Sequence, residues 1–341
     1  MQTTQPRRIH EIADQLGLGP DDVEPMGWWK GKLSLGLEQK LDANPIGKYI
    51  NVTAINPTPL GEGKTVVSIG LAMALSQAGQ RSIVTLREPS LAPVFGIKGG
   101  GAGGGCSKLL PAEDINLHFT GDLHAVTAAT NLLAAVIDNH CKRHQEPRLN
   151  PASVTWKRCV DMNDKGLSQI ISGLGHLRQA PVRETGFSLT AASEVMAILA
   201  LSDNLEDLRQ RIGRIHVGTT SDGAEVFAED LGCAGAMTVL LRDAIRPNLV
   251  QTCEHTPAFV HTGPFGNIAH GNSSIIADRI ALRLADFVVT ESGFGSDCGA
   301  EKFFNLKCRT SGLSPDVEVL VCTIRALKLQ SGKFHVRPGK P

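Results

Sequence analysis

The sequence carries no excess of charge of either sign: Lys plus Arg and Asp plus Glu each number 34 in 341 residues, so the formal net charge is zero with the histidines neutral. A balanced chain lacks a broad basic face, which argues against nucleic acid as a partner and leaves room for a local anion pocket. None of the eight cysteines forms a C-x-x-C pair, and none sits at a Cys/His zinc spacing. They read as reduced thiols and predict a cytoplasmic protein. Met1 to Arg8 has no apolar core of the signal-peptide kind, and no apolar run approaches the ~20 residues of a membrane span. The expectation is therefore no export and no membrane partner. With 42% apolar and 20% charged residues, the chain is of ordinary globular composition and long enough for one large or two medium domains.

What is present is organised around the apolar run Tyr49 to Ile55 and the segment Asn56-Pro57-Thr58-Pro59-Leu60-Gly61-Glu62-Gly63-Lys64-Thr65 that follows it. A β-branched run, then Pro and Gly, then Lys-Thr opening an amphipathic segment reads as strand, phosphate loop and helix. Glycines let backbone N–H groups turn toward phosphate oxygens, and the helix start adds the positive end of its dipole. In such a loop Lys64 sits on the terminal phosphates and the Thr65 hydroxyl on Mg²⁺. The common pattern is G-x-x-x-x-G-K-[ST], and here Thr58 stands at its first glycine. The competing reading is a plain turn with a helix-capping threonine.

The remaining stretches take their places around this loop. Residues 1–42 read as a helical lead-in, with Ile9, Ile12, Ala13 and Leu16 on one face and Trp28-Trp29 packing it down. Val66 to Ala78 reads as a helix and Ser82 to Leu86 as a second strand, which makes a right-handed βαβ unit with parallel strands. Arg87 and Glu88 follow that strand, where such sheets hold ligands. Arg87 could clamp a phosphate or carboxylate, and Glu88 could orient it or hold a metal-bound water; an ordinary surface ion pair is the alternative. The glycine run Gly96 to Gly105, which contains Lys98, reads as a ligand-facing loop, since it can form neither a stable helix nor a strand. His118, Asp122 and His124 are placed to meet at a turn as base, carboxylate and proton carrier, unless Thr120 and Asp122 merely cap a helix from Leu123 to Cys141. Further helices are expected over Ala191 to Leu201 and Leu208 to Ile212, the latter behind a capping-box order at Asp203 to Glu206. Ala258 to Thr262, Phe287 to Glu291 and Val317 to Thr323 read as further buried parallel strands, with His261 and Glu291 at strand ends. Asn267 to His270 could add backbone donors for an anion. The predicted fold is α/β, P-loop NTPase-like, with a mostly parallel doubly wound sheet and flanking helices over residues 43–330, and a tail over 331–341.

The segments PTPLGEGKT (57–65), LREPSLAPVFGIKGGGAGGG (86–105) and EDINLHFTGDLHA (113–125) together closely resemble formate–tetrahydrofolate ligase. TWKRCVDMND (155–164), PNLVQTCEHTPAFVHTGPFGNIAHG (247–271), ADFVVTESGFGSDCGAEKF (285–303) and TIRALK (323–328) agree with it, so the likeness runs from about residue 30 onward. The resemblance implies ATP-dependent ligation of formate to tetrahydrofolate through formyl phosphate, with Mg²⁺, a possible monovalent cation and a homotetrameric assembly. Carried onto this sequence, residues 58–65 (Thr58, Pro59, Leu60, Gly61, Glu62, Gly63, Lys64 and Thr65) hold ATP, Arg87, Lys98 and His261 hold the acyl substrate, and His118 or His124, tuned by Asp122, relays the proton. Departures are Gly101 in place of alanine, Cys106 in place of tyrosine, Val66-Val67 where threonines continue, and LKLQSG near the end. The family also runs further, so the resemblance implies a fold incomplete at the C-terminus. Two other readings remain open: a truncated, inactive copy that binds ATP or a full-length subunit, and a P-loop ATPase switch protein.

Overall fold

The computed structural model describes residues 5–58, 61–91, 101–175 and 180–334. The chain divides into two compact units, Met1–Thr120 with Arg246–Pro341, and Gly121–Ile245. The break falls inside what the sequence presents as one α/β domain.

In the first unit, five parallel strands form one side of a ten-stranded sheet, in the order Pro257–Val260, Ser82–Leu86, Phe287–Glu291, Lys48–Ala54, Val317–Val321. Ser82–Leu86 is buried along its whole length, and Lys48–Ala54 from its second residue onward. That is why these read as continuous apolar runs rather than alternating ones. Val52, Ile69, Val84, Leu86, Val250 and Val289 meet in the core between the sheet and the helix Lys64–Gln77. The mixed α/β class with a mostly parallel central sheet is as expected. Beyond Pro257–Val260 the sheet turns antiparallel through Asn248–Thr252, Gly31–Leu33 and Val23–Pro25.

That edge corrects the helical lead-in. Among the described residues of the segment, Ile9–Gln15 and the single turn Leu37–Lys40 are helical, and between them a hairpin joins the sheet. Gly17 (φ 72°) and Gly27 (φ 88°) take the left-handed conformation that interrupts helical periodicity. A β-carbon on Gly31 would lie 2.8 Å from Val23 Cγ1, so the hairpin closes only because that position is glycine. Trp28 does not pack the segment down: it is 65% exposed, with the Arg8 guanidinium 3.9 Å from its ring centre.

One buried ionic group ties three elements of this unit together. The Tyr49 hydroxyl and the Lys307 ammonium both donate to Oδ2 of Asp278, which lies in the helix Ile275–Leu284. Asp278 and Lys307 are fully buried. Burial first, then the Asp278 charge, pushes the Tyr49 phenol well above its ordinary pKa.

The second unit is built on the helix Asp122–Arg143, with Asp138 paired to both Arg158 and Arg183. Its helices include Glu194–Leu201, capped by Ser193, and Leu205–Gly213. The latter is capped by Asn204, whose side chain accepts from the Asp207 amide, while the Asp207 carboxylate accepts from the Asp203 amide. The capping pair therefore sits one residue later than the order Asp203 to Glu206 suggests. Among the described residues, no helix is long and apolar enough to cross a membrane.

Candidate active site

Parallel strands deliver their carboxyl ends to one side of a sheet, and three neighbours here carry the polar residues of the candidate site. After Lys48–Ala54 the chain enters a loop in which Gly61 (φ 73°) and Gly63 (φ 79°) adopt left-handed backbone, and the helix begins at Lys64. The first-turn amides of that helix have no acceptor within it, so the loop is a ready anion cradle.

Glu62 turns inward and is 5% exposed. Its Oε1 accepts from the Thr58 amide at 2.6 Å, while Arg325 donates to the Gly61 carbonyl at 2.8 Å. Glu62 and Thr58 therefore shape the loop from behind. Pro59, Leu60 and Lys98 lie outside the described residues.

Thr65 donates its hydroxyl to Oε2 of Glu291 at 2.8 Å. Glu291 ends the strand Phe287–Glu291 beside Lys48–Ala54 and is 7% exposed. A hydroxyl beside a carboxylate at the foot of a phosphate loop is an oxygen donor set of the hard kind that Mg²⁺ prefers, with water completing its octahedron. Among the described residues no group of three or more His, Cys, Asp or Glu could hold a metal ion. Glu291 is itself positioned: Asn272 donates to its carbonyl at 3.0 Å and to Ser292 Oγ at 3.1 Å, and Ser292 donates to Asn51 Oδ1 at 2.9 Å.

Lys64 is half-buried between opposing influences. Burial lowers its pKa most, Glu291 and Glu62 raise it, and Arg87 lowers it further. Arg87, at the end of Ser82–Leu86, donates from Nη1 to the Pro264 carbonyl at 3.0 Å. Its Nε is buried and has no hydrogen-bond partner among the described residues. Desolvation works against its charge and Glu291 supports it. So Lys64, Thr65, Arg87 and Glu291 form one electrostatic group.

The neighbouring sequence-predicted residues divide. Glu88 is 3% exposed and donates its amide to the Thr262 carbonyl at 2.7 Å, which overturns the surface ion-pair reading. His261 is buried, with Nδ1 2.6 Å from Ser274 Oγ, the oxygen that caps the next helix by accepting from the Ala277 amide. His118 is exposed in the turn that ends the first segment of the first unit. Asp122 and His124 open the long helix of the second, Asp122 buried and His124 exposed. Of these three, His118 belongs to the first unit and Asp122 and His124 to the second, the boundary running between Thr120 and Gly121.

The sequence reading undervalued Glu291, His270 and Lys302. A carboxylate closing a fully apolar strand was the available signal for Glu291. His270 entered only as one of the backbone donors of 267–270; its burial, and the bond from Lys302 to the Gly266 carbonyl at 2.7 Å, depend on how distant loops pack.

A family profile described as formate--tetrahydrofolate ligase matches residues 1–340. A formate--tetrahydrofolate ligase of Roseiflexus sp. (strain RS-1) is 58% identical over 340 residues, covering 100% of this chain and 60% of the relative. Those of Saccharopolyspora erythraea (56% over 335 residues, 98% of this chain and 59% of the relative) and Desulforamulus reducens (56% over 333 residues, 98% and 59%) are similar to it to the same degree. The chain spans about 60% of the length of the curated relatives it matches.

Proposed function

Because the chain belongs to the formate–tetrahydrofolate ligase family, we propose that its first unit is a P-loop-type nucleotide site that activates formate with ATP for ligation to tetrahydrofolate. The observation that carries this is the convergence of Lys64, the Thr65–Glu291 pair and Arg87 at the ends of three adjacent parallel strands.

Phosphoryl transfer asks a protein for positioning and charge neutralisation more than for covalent chemistry. The residues divide that work. Lys64 and the amides of the loop and first helical turn hold the β- and γ-phosphates of ATP. Thr65 and Glu291 would hold Mg²⁺, which would supply charge neutralisation to the phosphates. Arg87 clamps formate so that a carboxylate oxygen faces the γ-phosphorus in line with the departing ADP. The product formyl phosphate keeps its phosphate on Arg87 while tetrahydrofolate N10 attacks the formyl carbon, phosphate leaves, and the nitrogen gives up a proton. His118 or His124, with Asp122, is the relay for that proton in this reading, with His261 and Lys98 as helpers at the acyl end.

A monovalent cation belongs to the same reading. The homotetrameric, cytoplasmic setting belongs to the same reading and rests on the family alone.

The test is ADP release by the purified 341-residue chain as a function of formate and tetrahydrofolate, with the particle mass measured in the same sample. Release that needs both substrates supports the ligase. MgATP binding without turnover supports the inactive copy, and hydrolysis indifferent to formate supports the switch protein.

A narrower expectation concerns the metal. Thr65→Val removes the hydroxyl donated to Glu291 and leaves that carboxylate without the partner. The Mg²⁺ concentration for half-maximal nucleotide binding should rise about tenfold, in line with the loss of one charge-assisted contact. Titration of binding against Mg²⁺ at fixed ATP measures it, and an unchanged midpoint removes Thr65 from the metal.

A further inference from the structure

The helix Ile324–Gln330 follows the strand Val317–Val321, whose partner Lys48–Ala54 leads into the phosphate loop. The helix and its capping residue bond to that loop at four points. Arg325 donates from Nη2 to the Gly61 carbonyl at 2.8 Å, and Gln330 donates from Nε2 to the carbonyls of Asn56 at 3.3 Å and Pro57 at 3.5 Å. Thr323, which caps the helix by accepting from the Ala326 amide at 3.1 Å, donates to Oε2 of Glu62 at 3.5 Å. Ala326 is fully buried and seats the helix, while Arg325 and Gln330 are exposed.

The Arg325 contact is the shortest of these and the one with a charged donor. It falls on a residue of left-handed backbone, Gly61 (φ 73°), whose own amide closes a turn onto the Thr58 carbonyl at 3.1 Å. A trans peptide unit is planar, with its C=O and N–H pointing to opposite sides. A Gly61 carbonyl held toward the helix therefore turns the Glu62 amide the other way. The Glu62 side chain is fixed separately, by the Thr58 amide and the Thr323 hydroxyl. The Glu62 amide heads the run Glu62, Gly63, Lys64 that opens the helix Lys64–Gln77, and successive amides in such a turn cup an anion. Glycine at 61 leaves this peptide plane free to rotate, so its orientation needs a hold from outside the loop.

We propose that Arg325 is a positioning residue of the phosphate loop: by holding the Gly61 carbonyl it sets the Gly61–Glu62 peptide plane so that the Glu62 amide faces a nucleotide phosphate. This rests on the nucleotide reading above. It separates Arg325, which acts through backbone, from Lys64, which meets the phosphates itself.

The test is calorimetric titration of MgATP into the full 341-residue chain and its variants. Arg325→Ala should weaken MgATP about tenfold, the worth of one misdirected hydrogen bond to a charged group. The ratio of parent to variant affinity should be the same at about 0.1 M and about 0.5 M salt, since a mis-set peptide plane is not screened whereas the field of an exposed cation is. Arg325→Lys keeps one donor for the carbonyl and should bind within about threefold of the parent. The urea midpoint of Arg325→Ala should match the parent, because the side chain is exposed and alanine is a good helix former. Equal MgATP affinity in parent and Arg325→Ala overturns the proposal while the nucleotide reading stands. So does a loss that disappears at the higher salt, which would make Arg325 a distant charge, and so does a loss that lysine leaves unrelieved and that a lowered urea midpoint accompanies, which would make it a structural contact. Failure of the parent to bind MgATP at all overturns both.

Discussion

Lys64→Ala should lower MgATP affinity by about 10- to 100-fold, the worth of one charge-assisted contact to phosphate, and formyl phosphate formation by on the order of 10³-fold. The rate falls further than the affinity because charge on the transferred group is redistributed in the transition state, where a fixed ammonium counts for most. Here the ammonium is held in a half-buried position with Glu291 and Glu62 supporting its charge, so water is a poor substitute once it is gone. The fold should survive, because Lys64 opens a helix at its exposed end and alanine is a good helix former. Calorimetric titration of MgATP and a trapped-intermediate assay measure the two effects. A variant that binds and reacts like the parent would remove Lys64 from the phosphates.

The second large effect is on stability. Asp278→Ala strips the counter-ion from a fully buried Lys307 and an acceptor from Tyr49. Breaking one side of a buried ion pair costs about 3–5 kcal/mol, since a charge is left in low dielectric without compensation. Urea denaturation followed by fluorescence measures it. The double variant Asp278→Leu/Lys307→Met should recover much of the loss, because an apolar replacement of both partners carries no desolvation cost. A loss under about 1 kcal/mol in the single variant would mean that Lys307 finds water or another acceptor, and the group would then not be the fastening described.

The strands were readable because their chemistry is local. Phe287–Glu291 and Ser82–Leu86 are β-branched runs buried in the middle of a parallel sheet, and no other element gives that pattern at that length. The strand–loop–helix order was readable despite Thr58, because Gly61 and Gly63 occupy positions of left-handed backbone and the helix begins at Lys64. The lead-in was misread because its apolar spacing suits a helix, whereas the glycines between the apolar positions permit a hairpin, and a waiting sheet edge decides between them. Glu88 followed the same logic: beside an arginine it looks like half of a surface pair, and only the neighbouring strand end, reached through Thr262, buries it. For His270 the sequence suggested a backbone donor only; the burial of its side chain was not legible, since its surroundings come from segments around 87, 302 and 307 that are distant along the chain.

The strand Val317–Val321 pairs with Lys48–Ala54 on one side and is the last in its sheet among the described residues, with Val317 and Leu320 about half exposed. Amide deuteration should therefore run as a gradient across the sheet. Its fastest β-sheet amides lie at 317–321, and its slowest lie in Phe287–Glu291, which is flanked on both sides. Any polypeptide that adds a strand to that edge would flatten the gradient from the same end, so the time course of labelling is also an assay for whatever the edge pairs with.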